Sequence, residues 1–163
     1  MIRYHRFDTA MGPMYATAEE AGITGVYFEG GRHAPAIAPH WVLADDDPAL
    51  RDCERQLHEY FAGRRTTFHL PLAPRGTAFQ QAVWKAIAAI GYGETVSYAS
   101  IARGLGAANA SRAVGAATGR NPISLIVPCH RVTGSGGALT GYAGGLDRKR
   151  RLLALEGAPA HAA

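Results

Sequence analysis

SYASIARGLGAANASRAVGAATGRNPISLIVPCHRV, residues Ser97 to Val132, carries three local signals in succession. A first short helix is predicted over about 97–104 and a second over about 110–119, and the turn between them, LGAAN, contains a glycine. Two short helices joined in this way predict a helix-turn-helix. After Asn121 and Pro122 comes an apolar run, Ile123 to Val127, which reads as a buried strand that Pro128 stops. Cys129, His130 and Arg131 then stand at the strand's end, where clefts form.

The second of these helices, ASRAVGAATG, is built almost entirely of Ala, Gly, Ser and Thr around one arginine, Arg112. Small side chains let a helix backbone approach another surface closely, while one long cation projects from it. Packing against another protein helix would use the same small residues. Charge separates the two cases. Residues 1–74 carry 7 basic and 10 acidic side chains, net −3, whereas residues 75–163 carry 10 and 3, net +7. A small-residue helix on so basic a segment is read as one pressed against DNA.

Outward from that stretch, Thr77 and Gln80 form a capping-box pattern, and Phe79, Val83, Ile87 and Ile90 mark the apolar face of the helix it opens. LPLAPRGTAF before it reads as a linker, since its prolines exclude a helix interior or a central strand. The N-terminal segments Ile2–Phe7, Gly12–Thr17 and Gly25–Phe28 predict a small antiparallel sheet. DDDPALRDCERQLHEYFAG predicts a helix with an acidic cap, Pro48 at an early position, and Leu50, Cys53, Leu57, Tyr60 and Phe61 on one stripe. Cys53 lies on that stripe and is read as a small core residue.

The expected organisation is an α+β chain with a small N-terminal α/β domain over 1–74. A mainly helical C-terminal domain occupies 75–163, with a disordered tail at about 158–163. No apolar run approaches the length that spans a bilayer, and MIRYHRFDTAMGP lacks the basic-then-apolar pattern of a secretion signal, so a cytoplasmic location is expected. Two cysteines make neither a disulfide framework nor a C-x-x-C pair. His5, His33, His40, His58 and His69 lack ligand spacing, and no phosphate-binding or dinucleotide fingerprint is present, so neither a metal nor a cofactor is expected.

The candidate chemistry centres on Cys129. An ordinary thiol is only a few per cent ionised at neutral pH, and an adjacent imidazole, with Arg131 adding to the field, raises that fraction. Cys129 and His130 would point to opposite faces of an extended chain, so they cooperate only if the chain turns or a water links them. A histidine base also needs a third group to fix its tautomer. In DRKRRLLALEG, Asp147 can cap a helix and Leu152, Leu153 and Leu155 anchor it, which puts Glu156 in the last turn. There the helix dipole disfavours a carboxylate by up to about 1 kcal/mol, so a cationic partner is implied. His130 is one candidate; a solvated carboxylate or an ion pair to the nearby basic cluster is the alternative.

With these residues assembled, the chain resembles the O6-alkylguanine-DNA alkyltransferases. The resemblance rests on VPCHRV (127–132), Asn121-Pro122, SRAVGAA (111–117), GETVSY (93–98) and LLALEG (152–157), and is close over about residues 75–158. It implies a ribonuclease-H-like fold for the N-terminal domain. It further implies that Cys129 irreversibly accepts the alkyl group from O6 of a guanine flipped out of duplex DNA, once per molecule, and less well from O4-alkylthymine. His130 would deprotonate the thiol through a bridging water, Glu156 would orient His130, Tyr98 would donate to N3 of the leaving base, and Asn121 would order the turn beneath the site. Arg112 would enter the base stack from a recognition helix that sits in the minor groove and presents Ser111, Ala113, Gly115, Ala117, Thr118 and Arg120. The carbonyls of Cys129 and Val132 would accept from the guanine amino group. Tyr142, Ala143 and Gly144 would complete the base pocket, with Ala143 standing where some relatives have a serine, so that O6 is left to a backbone N–H. A monomer is expected, with cooperativity along DNA left open. A non-enzymatic lesion-binding protein of the alkyltransferase-like type and a cysteine hydrolase are the alternatives, and Cys129 counts against the first.

Overall fold

Alternating side chains in the first thirty residues produce a meander. In the computed structural model, which describes residues 1–158, β1 (Arg3–Thr9), β2 (Gly12–Glu19) and β3 (Gly22–Phe28) pair antiparallel. A two-residue connection joins β1 to β2, and Thr9 secures it by donating from Oγ1 to the Gly12 carbonyl at 2.6 Å. The short β4 (Val42–Leu43) pairs with β1 in parallel, giving the order β3-β2-β1-β4. Gly22 has φ +140, and a Cβ there would lie 2.4 Å from the Pro71 carbonyl oxygen, so only glycine fits this corner.

α1 (Pro48–Phe61) covers the sheet. Asp47 caps it, accepting from the backbone N–H groups of Ala49 and Leu50, and Pro48 occupies its first turn. Leu50, Cys53, Leu57 and Tyr60 of α1 and Met14, Ala16, Ile23 and Val26 of the sheet are all buried, while Phe61 is only half-buried. Burial pushes the Cys53 thiol up to about 12, with Asp52 and Glu54 adding to the shift, which fits a core residue rather than a nucleophile. The free edge of β3 is closed by two single parallel bridges, Ile23 with Leu72 and Val26 with Ile123.

The chain forms two compact units, residues 1–75 with 122–124, and residues 76–121 with the rest of the chain. The second unit is helical: α2 (Ala78–Ala88), α3 (Tyr98–Gly104), α4 (Ser111–Gly119) and α5 (Leu146–Leu155), with β5 (Val96–Ser97) and β6 (Val132–Thr133) paired in parallel. α2 begins with the full Thr77/Gln80 capping box, and α3 with Ser97 accepting from the Ser100 N–H. Val83, Trp84, Ile87 and Ile90 face the core, but Phe79, expected on the same stripe, is 38% exposed at the first turn. α5 has Gly145 at its N-cap, so Asp147 lies inside the first turn and is not the expected cap. Among the described residues no helix is long and apolar enough to cross a membrane. Of the expected tail, 159–163 lies outside the described residues.

Candidate active site

The apolar run before Cys129 is not the single strand its composition predicts. Ile123 makes one bridge, and Leu125 then adopts φ +73, a left-handed conformation that ends any continuous strand. The chain turns again at Cys129, whose N–H donates to the Val127 carbonyl at 2.9 Å, and residues Cys129–Arg131 form one turn of 3-10 helix. Cys129 and His130 are therefore not fixed on opposite faces. Asn121 pins the turn from inside, its Nδ2 donating to the Val127 carbonyl at 2.9 Å and to Cys129 Sγ at 2.7 Å.

His130 is fully buried, and its Nε2 meets Glu156 Oε2 at 2.7 Å. A carboxylate accepts only, so this nitrogen carries the proton and Nδ1 is left with its lone pair. Nδ1 is buried and has no hydrogen-bond partner among the described residues. Arg131, expected to add to the field at the thiol, is instead consumed by the same carboxylate. Its Nε donates to Oε1 at 2.8 Å, a terminal nitrogen donates to Oε2 at 2.9 Å, and the other terminal nitrogen donates to the Ile90 carbonyl at 2.7 Å. The Gly93 N–H adds a bond to Oε1 at 3.2 Å; Gly93 has φ +79, which brings its backbone against the end of α5. His130 is thus one partner of Glu156, and the other is Arg131, which lies outside the basic cluster expected to compete for it; together they explain a carboxylate at a helix C-terminus.

Burial dominates the ionisation of the site. It pushes the Cys129 thiol up to about 11 against the opposing pull of the Asn121 amide and Lys149, so the resting group is the thiol and local positive charge does not ionise it. Burial also lowers His130; Glu156 raises it, and Arg131 and Lys149 lower it further, which keeps the imidazole neutral at pH 7. Lys149 has no exposed surface and is lowered to about 8 by the same desolvation. Its ammonium donates to the carbonyls of Val132 at 2.7 Å and Thr140 at 3.2 Å.

The residues expected to line a base pocket lie near this core. Tyr98, in the first turn of α3, shares a hydrogen bond with Thr140 through their hydroxyls at 2.9 Å. The Tyr142 ring stands edge-on to His130, with centroids 6.4 Å apart, and its hydroxyl is buried without a hydrogen-bond partner among the described residues. Ala143 and Gly144 are half-buried beside it. The Val132 carbonyl accepts from Lys149 and the Cys129 carbonyl from the Val132 N–H.

Two family models match in tandem: the 6-O-methylguanine DNA methyltransferase ribonuclease-like domain over residues 2–74 and the DNA-binding domain of the same family over 78–158. A methylated-DNA–protein-cysteine methyltransferase of Methanosarcina acetivorans is 47% identical over 154 residues, 94% of this chain and 97% of the relative. The chain belongs to the O6-methylguanine-DNA methyltransferase family. The protein of the same name from Mycobacterium tuberculosis is 47% identical over 96% of this chain and 93% of its own length. A crystal structure described as Mycobacterium tuberculosis OGT in complex with DNA matches with a TM-score of 0.86 and 46% identity, covering 97% of this chain and 96% of that one.

In this methyltransferase-family chain α4 has two faces. Arg112 and Ala113 are exposed, Ser111 and Gly115 half-buried, and Arg120 is exposed just past the helix. Ala117 and Thr118, expected on the DNA face, are buried instead: the Ala117 carbonyl accepts from Trp84 Nε1 at 2.8 Å, and Thr118 Oγ1 donates to the Val114 carbonyl at 2.7 Å. Three polar features of the site are not legible in the sequence pattern: Lys149, Thr140, and Arg131 as the partner of Glu156. For Lys149 a signal exists. It precedes Leu152 and Leu153 by three and four positions, which places it on the buried face of α5.

Proposed function

We propose that the chain repairs DNA by direct reversal, Cys129 being the acceptor of the alkyl group from O6 of guanine in duplex DNA. The observation that carries this reading is the constellation at one turn: a thiol held by Asn121, next to a neutral histidine whose Nε2 is committed to Glu156 and whose Nδ1 is free to take a proton. His130 accepts the thiol proton through one bridging water, Sγ attacks the alkyl carbon, and the S–C bond forms as the C–O6 bond breaks. The bond pair stays with the base, where Tyr98 donates toward N3. Glu156 stabilises the imidazolium that results. No cofactor enters this balance. The product is a thioether, which has no carbonyl for water to attack, so each molecule reacts once.

In this reading Arg112 fills the place vacated by the flipped base, repaying part of an extrusion that costs a few kcal/mol, while Ser111, Ala113, Gly115 and Arg120 lie along the duplex. Residues 75–163 form the DNA-binding and acceptor domain, residues 1–74 the accompanying α/β domain. The protein acts as a cytoplasmic monomer, and O4-alkylthymine is a poorer substrate. The test is to incubate the protein with duplex DNA containing O6-methylguanine and to measure intact mass and a peptide map. One added methyl group on Cys129, absent in Cys129→Ala, is expected. Tight binding with no mass gain would establish the non-enzymatic lesion-binding alternative, and repeated turnover would refute the stoichiometric mechanism.

A further inference from the structure

Thr140 is a loop residue held at three points. Its hydroxyl meets the Tyr98 hydroxyl at 2.9 Å. Its carbonyl accepts from the buried Lys149 ammonium at 3.2 Å. Its methyl group lies over Gly134, so close that a Cβ on that glycine would come within 2.9 Å of Thr140 Cγ2. Gly134 is fixed in turn, its N–H donating to the Ala138 carbonyl at 2.8 Å. A β-branched side chain with its methyl wedged against a backbone and its main chain tied to a buried cation has little freedom at χ1. Its hydroxyl therefore has one direction, toward Tyr98.

We propose that Thr140 is a positioning residue for alkyl transfer, directing the phenolic proton of Tyr98 to the leaving base. Either hydroxyl could donate to the other in the free protein, but the two orders are not equal once a base is bound. When Tyr98 gives its hydrogen to N3, its oxygen is left as an acceptor, and Thr140 is the group placed to donate into it. The chain Thr140 O–H to Tyr98 O–H to N3 then runs in one direction, and each bond polarises the next. The stabilisation grows as the C–O6 bond pair moves onto the base, so it acts on the transition state more than on binding. The Thr140 proton stays on Thr140 throughout, and the Sγ–C bond, the broken C–O6 bond and the thiol proton on His130 balance as before. Lys149 enters as the anchor of the loop that carries Thr140.

This inference rests on the alkyltransferase reading and on the role of Tyr98 within it. The experiment measures the rate of methyl gain on Cys129 from O6-methylguanine duplex under single-turnover conditions, with the melting temperature of each variant. Thr140→Val keeps the wedged methyl and the shape but lacks the hydroxyl, and Thr140→Ser keeps the hydroxyl. Loss of one hydrogen bond that strengthens in the transition state predicts a rate lower by roughly three- to tenfold in Thr140→Val, with Thr140→Ser within about twofold of the parent. In a Tyr98→Phe background, Thr140→Val is expected to have no further effect. Unchanged transfer by Thr140→Val, or an equal slowing in the Tyr98→Phe background, would overturn the relay and leave the alkyltransferase reading intact. A parent chain that gains no methyl group would overturn both.

Discussion

Replacing Glu156 by Gln puts an amide where four donors converge on a carboxylate with no exposed surface. Oε1 accepts from Arg131 Nε and Gly93 N; Oε2 accepts from His130 Nε2 and the other Arg131 nitrogen. An amide supplies one acceptor and one donor end, so one of these two pairs of donors must face an NH2 group. If the amide nitrogen faces His130, the imidazole has to accept at Nε2, its proton moves to Nδ1, and the lone pair that takes the thiol proton is lost. If it faces Arg131 Nε and Gly93, the base survives but the guanidinium stays buried with no counter-charge. A wrong tautomer or an unstabilised imidazolium lowers a base-assisted step by about 10²- to 10⁴-fold, or ~3 to 5.5 kcal/mol in the barrier. Removing one partner of a buried ion pair costs about 3–5 kcal/mol of stability. Both effects are expected in Glu156→Gln: single-turnover methyl transfer to Cys129 followed by mass, and urea unfolding followed by circular dichroism. A variant that transfers within about threefold of the parent rate and unfolds within about 1 kcal/mol of it would refute the reasoning, because no orientation of the amide satisfies all four donors.

Arg112→Ala is expected to keep its reactivity toward a free alkylated base and to lose it toward duplex DNA; equal loss on both substrates would make Arg112 a structural residue. Asn121→Ala removes the donor to Sγ and leaves the buried Val127 carbonyl without it, a destabilisation of about 1–3 kcal/mol by chemical denaturation. Burial holds His130 below its ordinary value of 6.5, so its contribution to stability is complete above 6.5 and is lost as pH falls through the folded value. The transfer rate is expected to fall with it only on the acid side of 6.5, and an acid limb centred above 6.5 would refute the buried, lowered imidazole as the base. His5 has the opposite sign. Burial lowers it, but its bonds to Glu54 and Asp45 raise it above 6.5, so its stabilisation is full below 6.5 and is lost as pH rises through the raised value. The melting-temperature difference between the parent and His5→Gln should therefore shrink from pH 6 to pH 9.

Much of this molecule is written in local signals. A capping box, an early proline and apolar stripes at helical spacing act within a few residues, so the starts of α1, α2 and α3 and the helix-turn-helix are legible from the chain alone. So is the grouping of Cys129, His130, Tyr98, Asn121 and Glu156 as candidates, through the motifs that carry the family resemblance. The expectations fail where a distant partner overrides a local preference. Composition makes Ile123–Val127 a strand, yet after the single bridge of Ile123 to Val26 the left-handed turn at Leu125 breaks it. Small residues make Ala117 and Thr118 look like surface, yet Trp84 claims one carbonyl and the core takes both side chains. Arg131 sits two residues from the thiol and reads as a source of field there, yet Glu156 neutralises it, and desolvation, invisible in a sequence, lowers the ionised fraction of the thiol that local charge was expected to raise. Periodicity and capping are set by neighbours a few residues apart, and the sequence by itself determined those. Ion pairing, burial and the direction of a hydroxyl such as that of Thr140 depend on groups tens of residues away, and only the tertiary structure decided them.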